Sequence, residues 1–334
     1  MQTAIAAIFV FLLVVLLHEL GHFTVAKLVG IKVNEFSIGM GPKLLQVTKG
    51  ETVYSLRALP VGGYVKMEGE DENSDDPRSF SNSSVLARIA TIAAGAFMNF
   101  VLAIIVLSIV AFNVGTPTTT ISETIENSPA AVYGLESGDR IATINGTEIL
   151  KWQDIIDTIN KYGADSSIIV EVERDNSLVD YEIQPVEENG RVVIGIYPQY
   201  EHKAGTSIKA GFEDTGYFVK LMFEFLRMLF QGRVSTDDLA GPVGVITEVG
   251  NAARDGLMTL LYILGFISVN LGFFNLLPIP ALDGSRIIFL LIELVRGKPL
   301  DPKKEGFIHM LGFIFLISLM LIVTYKDIIR INLF

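Results

Sequence analysis

Four long apolar runs punctuate the chain and set its architecture. The first, residues 1–17, carries no charge and continues through HELGHFTVA to Lys27. The others are residues 89–112, 256–282 and 306–325. Each reaches the roughly 20 residues that a helix needs to cross a hydrocarbon core of about 30 Å. The first run lacks a basic leader and a small-residue cleavage site, which argues against a removed signal peptide. The pattern predicts transmembrane helices over 1–28, 85–114, 256–283 and 306–326.

Between them the periodicity changes. From Asn34 to Met67 four short strand-like runs (EFSIGM, LLQVT, TVYSLRAL, YVKM) are broken by Gly39, Gly41, Gly50, Gly62 and Gly63, predicting a β-rich loop over 29–84. An edge strand there, around Gly39 and Gly41, would pair with an extended peptide by strand addition. Residues 118–187 alternate β-rich runs, IIVEVER at 168–174 among them, with one helical stretch near Gln153–Lys161. In Tyr217–Gln231, Lys220, Glu224 and Arg227 fall on one stripe of an otherwise apolar surface. That predicts an interfacial helix within a linker, 201–255. Residues 284–305 read as a short loop, and Glu68–Asp76 as a solvated acidic turn.

Half of the 334 residues are hydrophobic and 19% are charged, against about 25% charged in soluble domains. A soluble enzyme and a disordered regulator are both disfavoured. The net charge of -11 disfavours a nucleic-acid partner. Residues 115–257 hold 23 acidic and 11 basic residues, so the acidity belongs to that segment. Residues 29–84 carry Lys32, Lys43, Lys49, Arg57, Lys66 and Arg78; residues 284–305 carry Arg286, Arg296, Lys298, Lys303 and Lys304. Both loops are therefore expected to be cytoplasmic, with both termini and 115–255 outside.

The first apolar run holds the chemistry. His18-Glu19-Leu20-Gly21-His22 is an H-E-x-x-H motif. On a helix its two imidazoles share a face and can hold one metal ion, with Glu19 beside it as general base. Ionisable residues inside a membrane helix are functional candidates by default. A catalytic zinc ion takes three protein ligands, and cysteine is absent. His202 lies in the external segment. His309 in the fourth helix and Asp283 are the remaining candidates. Asp283 is the better one, because Pro278 and Pro280 break the helix before it and a carboxylate there needs a partner. The alternative is a turn or N-cap aspartate before Gly284.

The chain resembles the bacterial site-2 protease family, intramembrane zinc metalloproteases of the regulator of sigma-E protease type. The resemblance is carried by HELGHF at 18–23, FSIGMGPKL at 36–44, LPVGGYVKM at 59–67, LAGPVG at 239–244 and NLLPIPALDG at 275–284. It implies that His18, His22 and Asp283 bind Zn2+, that Glu19 is the catalytic base, and that Asn275 holds the substrate backbone or oxyanion. It also implies that the β-rich loop is membrane-associated. Two departures are Ala96 after Gly95, where relatives often have proline, and Ser285 after Gly284, where many have a second glycine. Within 115–200, Asn127-Ser-Pro-Ala-Ala131, Gly134–Ile141 and Ile144-Asn145-Gly146 resemble one permuted PDZ domain. The expected fold is thus a multi-pass α-helical membrane protein with four transmembrane helices, a β-rich loop after the first, and one extracytoplasmic PDZ-like α/β domain.

The resemblance further implies a bacterial plasma (inner) membrane location, the active site towards the cytoplasmic side, and single-span membrane proteins as substrates. These would be anti-sigma factors or signal-peptide remnants, cut first by an upstream site-1-type protease and admitted past the PDZ-like domain. A non-catalytic adaptor would be expected to lack Glu19 or a ligand, and a transporter to show internal repeats.

Overall fold

The structure, a computed structural model, describes residues 2–70, 74–188, 190–234 and 240–330. Asp71, Glu72 and Asn73 of the acidic turn and Leu239 of LAGPVG lie outside the described residues. The chain forms two compact units. One joins the residues up to Val110 with those from Gly211 onward, and the other is Ala111–Ala210.

In the first unit, α1 (Gln2–Leu28) is apolar and free of proline. Such a segment satisfies every backbone group internally, the condition for spanning lipid. It leads into β1 (Val33–Lys49) and β2 (Thr52–Met67), an antiparallel pair. Ser37 pairs with both Tyr64 and Ser55, and Gln46 also pairs with Ser55. Each long strand is therefore bent, and the pair acts as four short strands in the order 43–49, 52–57, 33–38, 63–67. Those are the four runs that the sequence predicts. The bend in β1 falls at Gly39 and Gly41, with φ of 82° and 84°, a region that costs other residues dearly. A Cβ on Gly39 would also stand 2.5 Å from the Leu59 carbonyl oxygen. These glycines thus turn the strand, while a free edge of the sheet is formed by 63–67.

Glu35 ties the sheet together from inside. Its carboxylate accepts from Ser55 Oγ at 2.6 Å and Arg57 Nη2 at 2.8 Å. Burial works against its ionisation, but the hydrogen bonds from Ser55, Arg57 and Tyr64 prevail and hold its pKa at about 2. Leu44, Leu45 and Val47, beyond the bend, are exposed, as suits a loop associated with lipid.

The long helix α2 (Val85–Val114) lies close against α1. A Cβ on Gly21 would stand 2.3 Å from the Ala94 carbonyl oxygen, a small-residue contact of the kind that lets membrane helices approach.

The second unit follows. Its main sheet runs β10-β3-β4-β6-β7, with β5 on β4. The strands are β3 (Thr116–Thr124), β4 (Arg140–Ile144), β5 (Thr147–Glu148), β6 (Ile168–Arg174), β7 (Ser177–Ile183) and β10 (Ile196–Glu201). A separate small hairpin joins β8 (Val186–Glu188) and β9 (Arg191–Val193). Helices α3 (Pro129–Val132) and α4 (Trp152–Tyr162) complete it. Ile141, Ile144, Ile155, Ile168, Val170 and Val172 build its core. Asp139, fully buried, binds Arg174 through both oxygens at 2.6 and 2.7 Å. The arrangement fits the PDZ-like α/β unit expected at 115–200. His202 directs Nδ1 to the Phe112 carbonyl at 2.8 Å.

The chain then enters α5 (Ala204–Phe230), longer than the interfacial helix expected from Tyr217, and α6 (Pro242–Asp255), which the sequence did not single out. Two further helices, α7 (Leu257–Leu276) and α9 (Pro302–Arg330), complete four that are long and apolar enough to cross a membrane. Ala7, Val10 and Val14 of α1 pack with Leu102 and Val106 of α2, Val249 of α6 and Leu264 of α7.

Two expectations are corrected here. The third span ends at Leu276, not 283, because Pro278 and Pro280 cannot continue a helix. The expected loop over 284–305 is helical for its first half, as α8 (Asp283–Arg296). Asp283 in its first turn and Arg296 in its last complement the helix dipole. Glu293 accepts from both terminal nitrogens of Arg88, at 2.5 and 3.1 Å, fastening α8 to α2.

Candidate metal centre

Helical spacing puts His18 and His22 on one face of α1, where each is 7% exposed. The Pro-x-Pro break reverses the chain after α7, so that α8 begins against that face with Asp283. The two Nε2 atoms are 3.1 Å apart. Asp283 Oδ2 lies 3.2 Å from Nε2 of His18 and 3.5 Å from that of His22.

Those separations test the fit of a zinc ion. With Zn–N and Zn–O distances near 2.05 Å, a tetrahedron has edges of about 3.3 Å. The three atoms form one face of such a figure, leaving its fourth vertex for water. Asp283 Oδ2 is buried and makes no hydrogen bond of normal geometry among the described residues. Three electron-pair donors brought this close repel one another unless a cation joins them. The donor set, nitrogen and oxygen without sulfur, suits zinc.

Neighbouring groups fix how the imidazoles are turned. His22 Nδ1 lies 2.9 Å from the Thr91 carbonyl, which accepts its proton and leaves the Nε2 lone pair available to a metal ion. His18 Nδ1 faces the side-chain amide of Asn99 at 3.2 Å. Metal at Nε2 requires a proton on Nδ1, so the amide presents its oxygen, which a half-turn about its terminal bond achieves. Asn99 is fully buried, and its own carbonyl accepts from Ser268 Oγ at 2.8 Å. Gly95, one turn earlier on α2, gives the rings their room.

Glu19 faces the bent sheet. A Cβ on Gly63 would stand 3.2 Å from its Cγ. The Glu19 side chain thus borders the edge segment 63–67. Asn275 is half-buried in the last turn of α7. Asp283 joins His18 and His22, whereas Gly39 and Gly41 form the bend described above. His309, the competing candidate, contacts Ala281 instead. Thr91 and Gly95 had no signal in the local sequence. Asn99 did: a buried amide in an uncharged helix has to find a partner.

A metal ion held by the two Nε2 atoms and Asp283 Oδ2, with the Glu19 carboxylate beside it, would supply the chemistry of a zinc metallopeptidase. Residues 6–319 match peptidase family M50, and the chain belongs to that family. The zinc metalloprotease RasP of Bacillus licheniformis is 34% identical, covering 99% of this chain and 99% of its own length. The regulator of sigma-W protease RasP of Bacillus subtilis is 32% identical over 98% of this chain and 99% of its own. A Clostridium acetobutylicum protein, provisionally named a zinc metalloprotease, is 39% identical over 97% of each chain. Among solved structures, a PDZ domain of an SdrC-like protein from Listeria innocua is 25% identical. It covers 26% of this chain and 97% of that chain, with a TM-score of 0.23. The chain is a zinc metalloprotease of the site-2 protease type, and Zn2+ is its cofactor.

Proposed function

We propose that this metalloprotease cuts peptide bonds within or near the transmembrane segment of single-span membrane proteins. The observation that carries the reading is that His18 and His22 are buried within α1, a helix long and apolar enough to cross a membrane. In this reading His18, His22 and Asp283 would hold the zinc ion, which would supply a water of lowered pKa, near about 7, and a Lewis acid for the scissile carbonyl. Glu19 takes the proton from that water and delivers it to the leaving amine. Asn275 steadies the substrate backbone or the oxyanion.

A transmembrane substrate arrives as a helix with its amides satisfied internally and must be unwound before attack. The edge segment 63–67, beside Glu19, offers backbone groups to an extended peptide. Strand addition on that edge, with the bend at Gly39 and Gly41 setting its angle, gives the unwound segment new partners. The PDZ-like unit gates access, admitting substrates that a site-1-type protease has already trimmed. The sigma-W name of the Bacillus subtilis relative supports anti-sigma factors as a substrate class, beside signal-peptide remnants. The enzyme sits in the bacterial plasma membrane with four spans. Its termini and the PDZ-like unit are outside, and the zinc centre is towards the cytoplasm, where the basic loops lie.

The test is cleavage of a single-span substrate in liposomes. Glu19→Gln is expected to slow it by about 100- to 10,000-fold while zinc remains bound. Cleavage at the normal rate by that variant would refute the assignment of Glu19.

A further inference from the structure

The turn that delivers Asp283 is held in an unfavourable conformation. Leu282 N–H donates to the Ile279 carbonyl at 3.1 Å, so Ile279–Leu282 is a β-turn with Pro280 second and Ala281 third. Ala281 has φ of 77°. Proline second and positive φ third is the type II pattern, whose third position normally takes glycine or asparagine. The other non-glycine residues with positive φ among those described are Asn127, Asn145, Asp175 and Asn176, whose polar side chains ease that region. Ala281 has no such side chain. Something outside the turn has to hold it.

His309 on α9 is placed to do so. Its Nδ1 accepts the Ala281 N–H at 3.1 Å. An accepting Nδ1 puts the ring proton on Nε2, which lies 3.8 Å from Glu305 Oε1, one helical turn back. The ring also packs edge-on against Phe289 of α8, with centroids 5.6 Å apart. One turn further along α9, a Cβ on Gly312 would stand 2.4 Å from the Pro280 carbonyl oxygen. The backbone of α9 therefore presses on the turn while His309 grips its amide. Ala281 is two residues before Asp283, so the geometry of this turn aims the carboxylate.

We infer that His309 is a positioning residue for the metal centre: by holding the Ala281 amide it keeps the left-handed turn that points Asp283 at His18 and His22. The inference rests on Asp283 being a zinc ligand. It gives the peripheral helix α9 a part in metal binding without a ligand of its own.

The test is a cycle of variants in the full-length protein, read by zinc affinity in chelator competition and by the visible spectrum of the Co2+ form. His309→Leu is expected to weaken zinc binding by about 10- to 100-fold, as loss of an outer-shell partner does, and to alter the Co2+ spectrum. His309→Asn, whose side-chain oxygen falls where Nδ1 lies, is expected to retain both. Ala281→Gly removes the backbone penalty and is expected to restore zinc binding to His309→Leu. If His309→Leu does not fold, His309→Gln takes its place, since its amide reaches the Nε2 position and leaves the Ala281 N–H without its acceptor. Unchanged zinc affinity in the variant lacking the acceptor, or no rescue by Ala281→Gly, overturns the inference. Asp283→Ala separates the two claims. Normal zinc binding by that variant removes Asp283 as a ligand; zinc loss there with none in the His309 variant rejects only the role of His309.

Discussion

Gly95 faces His22 so closely that a Cβ added to it would stand 2.3 Å from Nε2 and 2.8 Å from Cε1 of His18. The ring cannot simply swing aside, because its Nδ1 is engaged by the Thr91 carbonyl at 2.9 Å. Gly95 thus forms the floor against which both imidazoles rest. Gly95→Ala is expected to displace the ligand nitrogens and reduce the bound zinc, measured by metal analysis of the purified protein, well below one ion per chain. Proteolysis should fall with it, since small displacements of a positioned catalytic group cost about 100-fold.

Asn99 contributes differently, through a proton. Its amide oxygen is the acceptor for His18 Nδ1–H when Nε2 binds metal. Asn99→Ala is expected to weaken zinc by about 10- to 100-fold in chelator competition. Asn99→Asp keeps an acceptor at the same place and is expected to hold zinc more tightly than Asn99→Ala. Equal losses in the two variants would show that the amide only fills space.

Acid should loosen the bent sheet through Glu35. Its pKa lies at about 2, lowered from 4.5, so the ionised carboxylate stabilises the sheet above pH 4.5. That contribution declines as the pH falls and is lost below about 2. Hydrogen exchange of the amides in 52–57, corrected for intrinsic rates, is expected to show steady protection from pH 7 to 5. Protection should then fall between pH 4.5 and 2. Glu35→Gln should lower protection at neutral pH and flatten that acid step.

Much of the candidate site was legible because its residues are close in sequence or flanked by strong punctuation. His18, Glu19 and His22 need only helical periodicity, and the prolines at 278 and 280 mark the break that delivers Asp283. The four short strands were readable because glycines interrupt them, although their order emerged only from the pairing. What escaped was tertiary. Thr91 and Asn99 meet their imidazoles across 69 and 81 residues of sequence. The helix α8 was hidden by the Pro-x-Pro run before it and the basic residues within it. The grip of His309 on Ala281 depends on a backbone angle that no residue pattern announces, since alanine is an unusual occupant of that position.

The contact between Gly21 and the Ala94 carbonyl gives the metal motif a second duty. Lipid offers helices no hydrophobic reason to associate, so the seam has to be written into the same five residues that carry the chemistry. One side of HELGH carries the two candidate ligands, and its glycine seats the helix against its neighbour. Transplanting those five residues into another apolar helix would therefore not yield a peptidase. The portable unit has to include the neighbouring helix, whose Gly95 accepts the histidine face, and the turn that delivers Asp283.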